Sequence, residues 1–103
     1  MNIISNVSGF TTNASKGVVA IKFGAVWCGP CKVMDKTFVK LDGEFEKLNC
    51  FTVDIDEAPD LARQFNIQSI PTIVVLKDGV ELQRVVGVSL IEPLRKIFKD
   101  ALA

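Results

Sequence analysis

Trp27-Cys28-Gly29-Pro30-Cys31 sets two thiols three residues apart, at a point where an apolar run gives way to a helical pattern. On a helix that rises about 1.5 Å per residue with a radius of about 2.3 Å, Cα atoms at this spacing stand about 5 Å apart, inside the window a disulfide requires. The bond can close with little backbone movement. The ring so formed is short, and loop entropy gives it only about 2 kcal/mol of stabilisation, less than a staple across a long loop would supply. A reversible redox bond fits this spacing better than a structural one.

A helix start also treats the two sulfurs differently. Its free amide N–H groups carry roughly half a positive charge, which favours a thiolate at Cys28, the first and more exposed of the pair. Cys28 is therefore the candidate nucleophile, and Cys31, one turn inward, is the candidate resolving thiol. Pro30, expected at the first helical position, has no N–H to leave unpaired there, and Gly29 lets another chain come close.

The third cysteine, Cys50, opens the apolar run Cys50-Phe51-Thr52-Val53. It reads as a small buried hydrophobe in a strand, with a regulatory thiol as the less favoured alternative. An odd cysteine count argues for a catalytic pair plus one leftover, as in a reducing compartment, over a disulfide framework. With 3 cysteines and no histidine in the chain, a structural zinc site would need a carboxylate or a second chain to complete its four ligands.

The elements that must hold this pair alternate between strand and helix signals. Residues 2–6 suit a short edge strand and residues 10–15 a weak helix. Residues 18–23 are almost continuously apolar, as in a central strand covered on both faces, with Lys22 the one misfit. Beyond the cysteines, Met34, Phe38, Leu41, Phe45 and Leu48 recur at helical steps and predict one long amphipathic helix in which Gly43 is the weakest interior point.

A strand over residues 51–55 follows, then a helix opened by Pro59, with Leu61, Ala62 and Phe65 on one face and Asn66 at its end. Strands over 72–76 and 81–86 flank Asp78-Gly79, a signal for a type I′ turn and an antiparallel hairpin, and Gly87 breaks the second. Ser89 with Glu92 forms a capping-box pattern before a last helix lined by Leu90, Leu94, Ile97, Phe98 and Ala101. The order βαβαββα gives an α/β fold with a mixed central sheet and helices on both faces. Ligands of such sheets sit beyond strand C-termini, where Cys28 lies.

At 103 residues the chain is long enough for one core, so a single domain over 1–103 is expected. Its 12 basic and 12 acidic residues cancel, and no basic run is present, so neither nucleic acid nor an anionic membrane is an expected partner. Residues 1–6 have neither a charged leader nor an apolar run, which points to a cytoplasmic location. Protein partners and a monomeric state are expected.

These residues together resemble the thioredoxin family over nearly the whole chain. The resemblance rests on Trp27-Cys28-Gly29-Pro30-Cys31-Lys32, on Val53-Asp54-Ile55-Asp56 before a helix, on Ser69-Ile70-Pro71-Thr72, on Lys77-Asp78-Gly79, and on Val86-Gly87. It implies a thioredoxin-like fold and a protein-disulfide reductase with no bound cofactor and no metal. Electrons are then expected from NADPH through a flavin-containing thioredoxin reductase, and disulfide-containing proteins are the implied substrates.

The resemblance further implies that the Ile70–Pro71 bond is cis and that Ile70 and Pro71 receive a substrate strand. By itself Pro71 would read as an ordinary strand-start proline. Trp27 is implied to shape the contact surface, the alternative being plain core packing, and Gly87 to let a partner approach. The chain also departs from the pattern: Lys22 stands where the family usually carries a buried aspartate, Gly24 where many carry a bulky aromatic, and Lys36 where a helix proline is usual. Lys22 and Gly24 keep open a thioredoxin-like protein specialised for one partner; a binding subunit in which the thiols are incidental is a separate alternative, against which the intact cysteine pair argues. In a strand that otherwise reads as core, the Lys22 amine must snorkel to water, pair with a carboxylate, for which Asp54 on the following strand is a candidate, or lose its proton. A snorkelled or surface-paired amine with little effect on the thiols is the favoured reading, and coupling to Cys31 the alternative.

Overall fold

In the computed structural model, which describes residues 2–4 and 6–103, the strands are β1 (Asn2–Ile3), β2 (Val18–Gly24), β3 (Asn49–Asp54), β4 (Thr72–Lys77) and β5 (Val80–Val86). The helices are α1 (Val7–Asn13), α2 (Gly29–Glu44), α3 (Pro59–Gln64) and α4 (Ile91–Leu102). Among the described residues the strands form one sheet in the order β1-β3-β2-β4-β5, with β2 at its centre. β3 runs parallel to both β1 and β2, whereas β4 is antiparallel to β2 and β5 antiparallel to β4. This is the expected mixed sheet.

Strand alternation divides the core in two. Val19, Ile21 and Phe23 of β2 join Phe51, Val53, Val74 and Leu76 under α1 and α3. Ala20 of the same strand joins Cys50, Ile73 and Val75 under α2 and α4, where Met34, Phe38, Leu41, Leu94 and Phe98 fill the other side. Lys22 and Gly24 follow Ala20 in this alternation, so the misfit residue of β2 is directed at α2. Arg95 of α4 grips both carboxylate oxygens of Glu44 at 2.8 and 2.9 Å, which ties the end of α2 to α4 and holds the Glu44 carboxyl below its usual range.

Several boundaries differ from the sequence pattern for local reasons. Asn6 caps α1 by accepting the Gly9 N–H at 2.7 Å, so this helix starts earlier than the apolar residues suggest and ends at Asn13. Helix α2 ends at Glu44, because Phe45 turns extended (φ −123°, ψ 95°). Gly43 thus falls in its last turn, and Leu48 reaches the core from a turn closed by its own N–H on the Phe45 carbonyl.

The capping box at Ser89 does not form. Ser89 Oγ donates to the Leu90 carbonyl, Leu90 itself takes the capping position with no side-chain bond, and it stands 79% exposed, not on the buried helix face. Asp78 and Gly79 both have positive φ (50° and 84°), as the type I′ hairpin requires, and Asn66 ends the α3 segment with φ 53°.

Candidate active site

Cys28 sits between the end of β2 and the start of α2 and caps the helix with its sulfur. The Cys31 N–H donates to Cys28 Sγ at 3.2 Å. Pro30 occupies the second helical position, one later than the sequence suggests, and its missing N–H still falls among the unpaired groups of the first turn. Cys28 and Cys31 are joined as a disulfide with Cα atoms 5.3 Å apart, matching the helical spacing. Both are buried, Cys28 at 5% exposure and Cys31 at 1%, so the first sulfur is the more accessible.

Two other segments lie at this end of the sheet, brought together by the strand register. Thr72 of β4 lies opposite both Phe23 of β2 and Val86 of β5. Pro71 and Gly87 therefore flank the edge of the sheet at which β2 gives way to the cysteines. The Gly87 N–H donates to the Pro71 carbonyl at 2.8 Å, and Gly87 takes φ 86°, a conformation natural to glycine.

The Ile70–Pro71 peptide is cis, and Thr72 Oγ1 donates to the Ser69 carbonyl at 2.7 Å. The Ser89 N–H meets Met34 Sδ at 3.3 Å, which seats the segment after Gly87 on α2. Trp27 is 68% exposed, which excludes core packing, and its indole N–H donates to Asp56 Oδ2 at 2.8 Å.

Lys22 is 5% exposed and pairs with Asp35 Oδ1 at 2.7 Å. The candidate partner, Asp54, instead accepts the Asp56 N–H at 2.8 Å in the turn after β3. A cleft of about 410 Å³ runs beside the pair, lined by Lys22, Gly24, Asp35, Thr52 and Asp54 among others. Gly24 is needed here for closeness: a Cβ on it would stand 3.1 Å from Cys31 Sγ and 3.1 Å from Lys22 Nζ.

Asp35 and Asp56 are the two site residues that sequence reasoning missed. Asp35 lies one helical turn past Cys31 at a position that reads as solvent-facing. Asp56 stands within a recognised motif whose spacing says nothing of Trp27.

Cys50 is buried, and burial first, then the nearby Asp42, pushes its thiol up to about 12. Among the described residues no group of three or more His, Cys, Asp or Glu is placed to hold a metal, and no helix is long and apolar enough to cross a membrane.

The family model described as Thioredoxin matches residues 4–100. A thioredoxin of Staphylococcus saprophyticus is 38% identical over 96 residues, covering 92% of each chain. One from Chlamydia trachomatis is 41% identical over 78 residues, covering 76% of each. Among solved structures, a thioredoxin of Malassezia sympodialis superposes with a TM-score of 0.89 at 32% identity, over 100% of this chain and 91% of that one.

Proposed function

Since the chain belongs to the thioredoxin family and is a thiol–disulfide oxidoreductase that reduces protein disulfides, we propose that Cys28 is its attacking thiolate and Cys31 its resolving thiol. The observation that carries this assignment is the Cys31 N–H directed at Cys28 Sγ at the start of a 16-residue helix. A fixed N–H dipole and the helix terminus both favour negative charge on the first sulfur.

In the forward direction Cys28 thiolate attacks one sulfur of the substrate disulfide, and the other leaves as a thiolate. Cys31, deprotonated, then attacks Cys28 Sγ, and the remaining substrate sulfur departs. Two electrons have moved from the dithiol to the substrate. The two protons of the dithiol end on the released thiols. The chain has no histidine, so any protein group carrying a proton is a carboxylate or Lys22, with water as the alternative.

Trp27, Ile70, Pro71 and Gly87 form the substrate-docking rim in this reading, with Gly29 and Pro30 shaping the cysteine turn. The exposed Trp27 and the Gly87 segment on α2 support it. The 103 residues act as one monomeric domain in the cytoplasm. NADPH supplies the electrons through a flavin-containing thioredoxin reductase. A second reading, specialisation for one partner with its own reductant, is favoured by the Lys22–Asp35 pair and by Gly24.

NADPH-coupled reduction of a protein disulfide, with and without a thioredoxin reductase, tests the proposal. Turnover that depends on the reductase is expected. Turnover only with another reductant would support the specialised reading, and binding of a partner that survives replacement of both cysteines would support a binding subunit.

A further inference from the structure

Behind the disulfide lies a buried cation that the two-step exchange leaves unused. Lys22 sits in the middle of β2 between the fully buried Ile21 and Phe23, and its own side chain is only 6% exposed. Asp35 meets it at 2.7 Å from α2, one turn beyond Cys31. Gly24 leaves open the space between the two sites. The point 3.1 Å from Lys22 Nζ, where a Cβ would stand, is also 3.1 Å from Cys31 Sγ. That caps the separation of ammonium and sulfur at about 6 Å, within the range over which one charge moves a neighbour's ionisation.

Other ionisable groups stand near Cys31. From α2 comes Asp35, from the turn before it the sulfur of Cys28, and from β3 Asp54; both carboxylates line the shared cleft. The segments Ser69-Ile70-Pro71-Thr72 and Gly87-Val88-Ser89-Leu90 bring no titratable side chain. Asp35 is 49% exposed against 6% for Lys22, so water screens the carboxylate far more than the ammonium. Asp54 is half-buried and engaged with the Asp56 amide. Of the pair beside Cys31, the ammonium is thus the less screened charge.

Resting on the assignment of Cys31 as resolving thiol, we infer that Lys22 is a positioning residue whose ammonium, fixed by Asp35, favours the thiolate of Cys31 whenever the pair is not joined. During resolution the Cys31 proton passes to bulk water through the cleft, and the thiolate attacks Cys28 Sγ. The bond from Cys28 to the substrate sulfur breaks, and that sulfur leaves with the electron pair and takes up a proton. Here water carries the proton, and Lys22 contributes only its charge. Because the charge stabilises the reduced, ionised pair over the disulfide, it also makes the protein a stronger oxidant than a chain with a neutral residue there.

Wild type, Lys22→Met and Asp35→Asn distinguish this from a packing role. Ultraviolet thiolate absorbance of the reduced proteins is followed against pH, the disulfide is equilibrated with glutathione, and resolution of a preformed Cys28 mixed disulfide is timed at neutral pH. Lys22→Met should raise the Cys31 titration by about one pH unit or more and slow resolution about tenfold. Asp35→Asn, which leaves the ammonium uncompensated, should move the titration the other way. The glutathione equilibrium should shift in the same two opposite senses.

Superimposable titrations, or a shift in one direction for both variants, would overturn the inference. Circular dichroism establishes folding, and Lys22→Gln repeats the test if the methionine variant does not fold. The titration and the glutathione equilibrium read the dithiol itself. They stand or fall separately from whether the wild type turns over a protein disulfide.

Discussion

Cys31 on α2 and Cys50 on the strand beneath it are both buried sulfurs, at 1% and 3% exposure, yet their surroundings prepare them for opposite fates. Cys31 lies at the helix start, bonded to a sulfur that accepts its own N–H and within reach of a buried ammonium. Cys50 lies at the start of β3 among Met34, Phe38 and Leu41, with the Asp42 carboxylate beside it. A carboxylate and a dry environment hold a thiol protonated, whereas a cation and a helix terminus release its proton. Burial alone therefore does not decide whether a cysteine is inert. At Cys50 the Asp42 carboxylate adds to the larger effect of burial, whereas at Cys31 the nearby ammonium opposes it.

Replacing the sulfurs of the pair gives the largest expected effects. Cys28→Ser should abolish disulfide reduction, and Cys31→Ser should stall after one attack as a mixed disulfide that mass spectrometry can identify. Cys50→Ser should leave turnover close to wild type, and a comparable loss there would erase the distinction between the two regions. Gly24→Val attacks the gap beside Cys31, since its Cβ would crowd both Cys31 Sγ and Lys22 Nζ at 3.1 Å. Chemical denaturation of the oxidised protein should show a loss of about 1 to 3 kcal/mol, typical of overpacking.

The pH dependence of stability sharpens the other side. The Cys50 thiol is raised from 9.0 to about 12 in the folded protein, with burial the largest cause. Its protonated form is thus favoured by folding. That contribution is present in full below pH 9.0 and fades as the pH climbs toward 12. Oxidised Cys50→Ala should consequently lose less stability than wild type over this interval, as measured by denaturant midpoints. The smallest effect belongs to Asp42→Asn, which should bring the Cys50 titration only part of the way back, because burial outweighs the carboxylate.

What the sequence made legible was whatever depends on spacing along one element. The two thiols three apart, the type I′ hairpin at Asp78-Gly79 and the alternating order of strands and helices all follow from local geometry. Lys22 stood out because its neighbours in β2 are apolar, but its partner was not readable. Asp35 occupies what looks like the wet face of α2, and only the packing of that helix on the sheet brings it to the amine.

The end of α2 was misread for a related reason. Phe45 and Leu48 keep the helical period while the backbone has already turned, so the same core face is reached by a different conformation. At Ser89 the capping pattern lost to a bond with the neighbouring carbonyl. The cis peptide before Pro71 came from family resemblance, since no feature of those residues alone distinguishes it from a trans bond.

The most direct test of the central claim is competitive alkylation of the fully reduced, folded protein at mildly acidic pH, with the rate at each cysteine read by peptide mapping. Cys28 should be modified fastest and Cys31 more slowly, while Cys50 stays unmodified until the protein is unfolded. Faster labelling of Cys31 than of Cys28, or labelling of Cys50 at a rate comparable to the pair, would contradict the account.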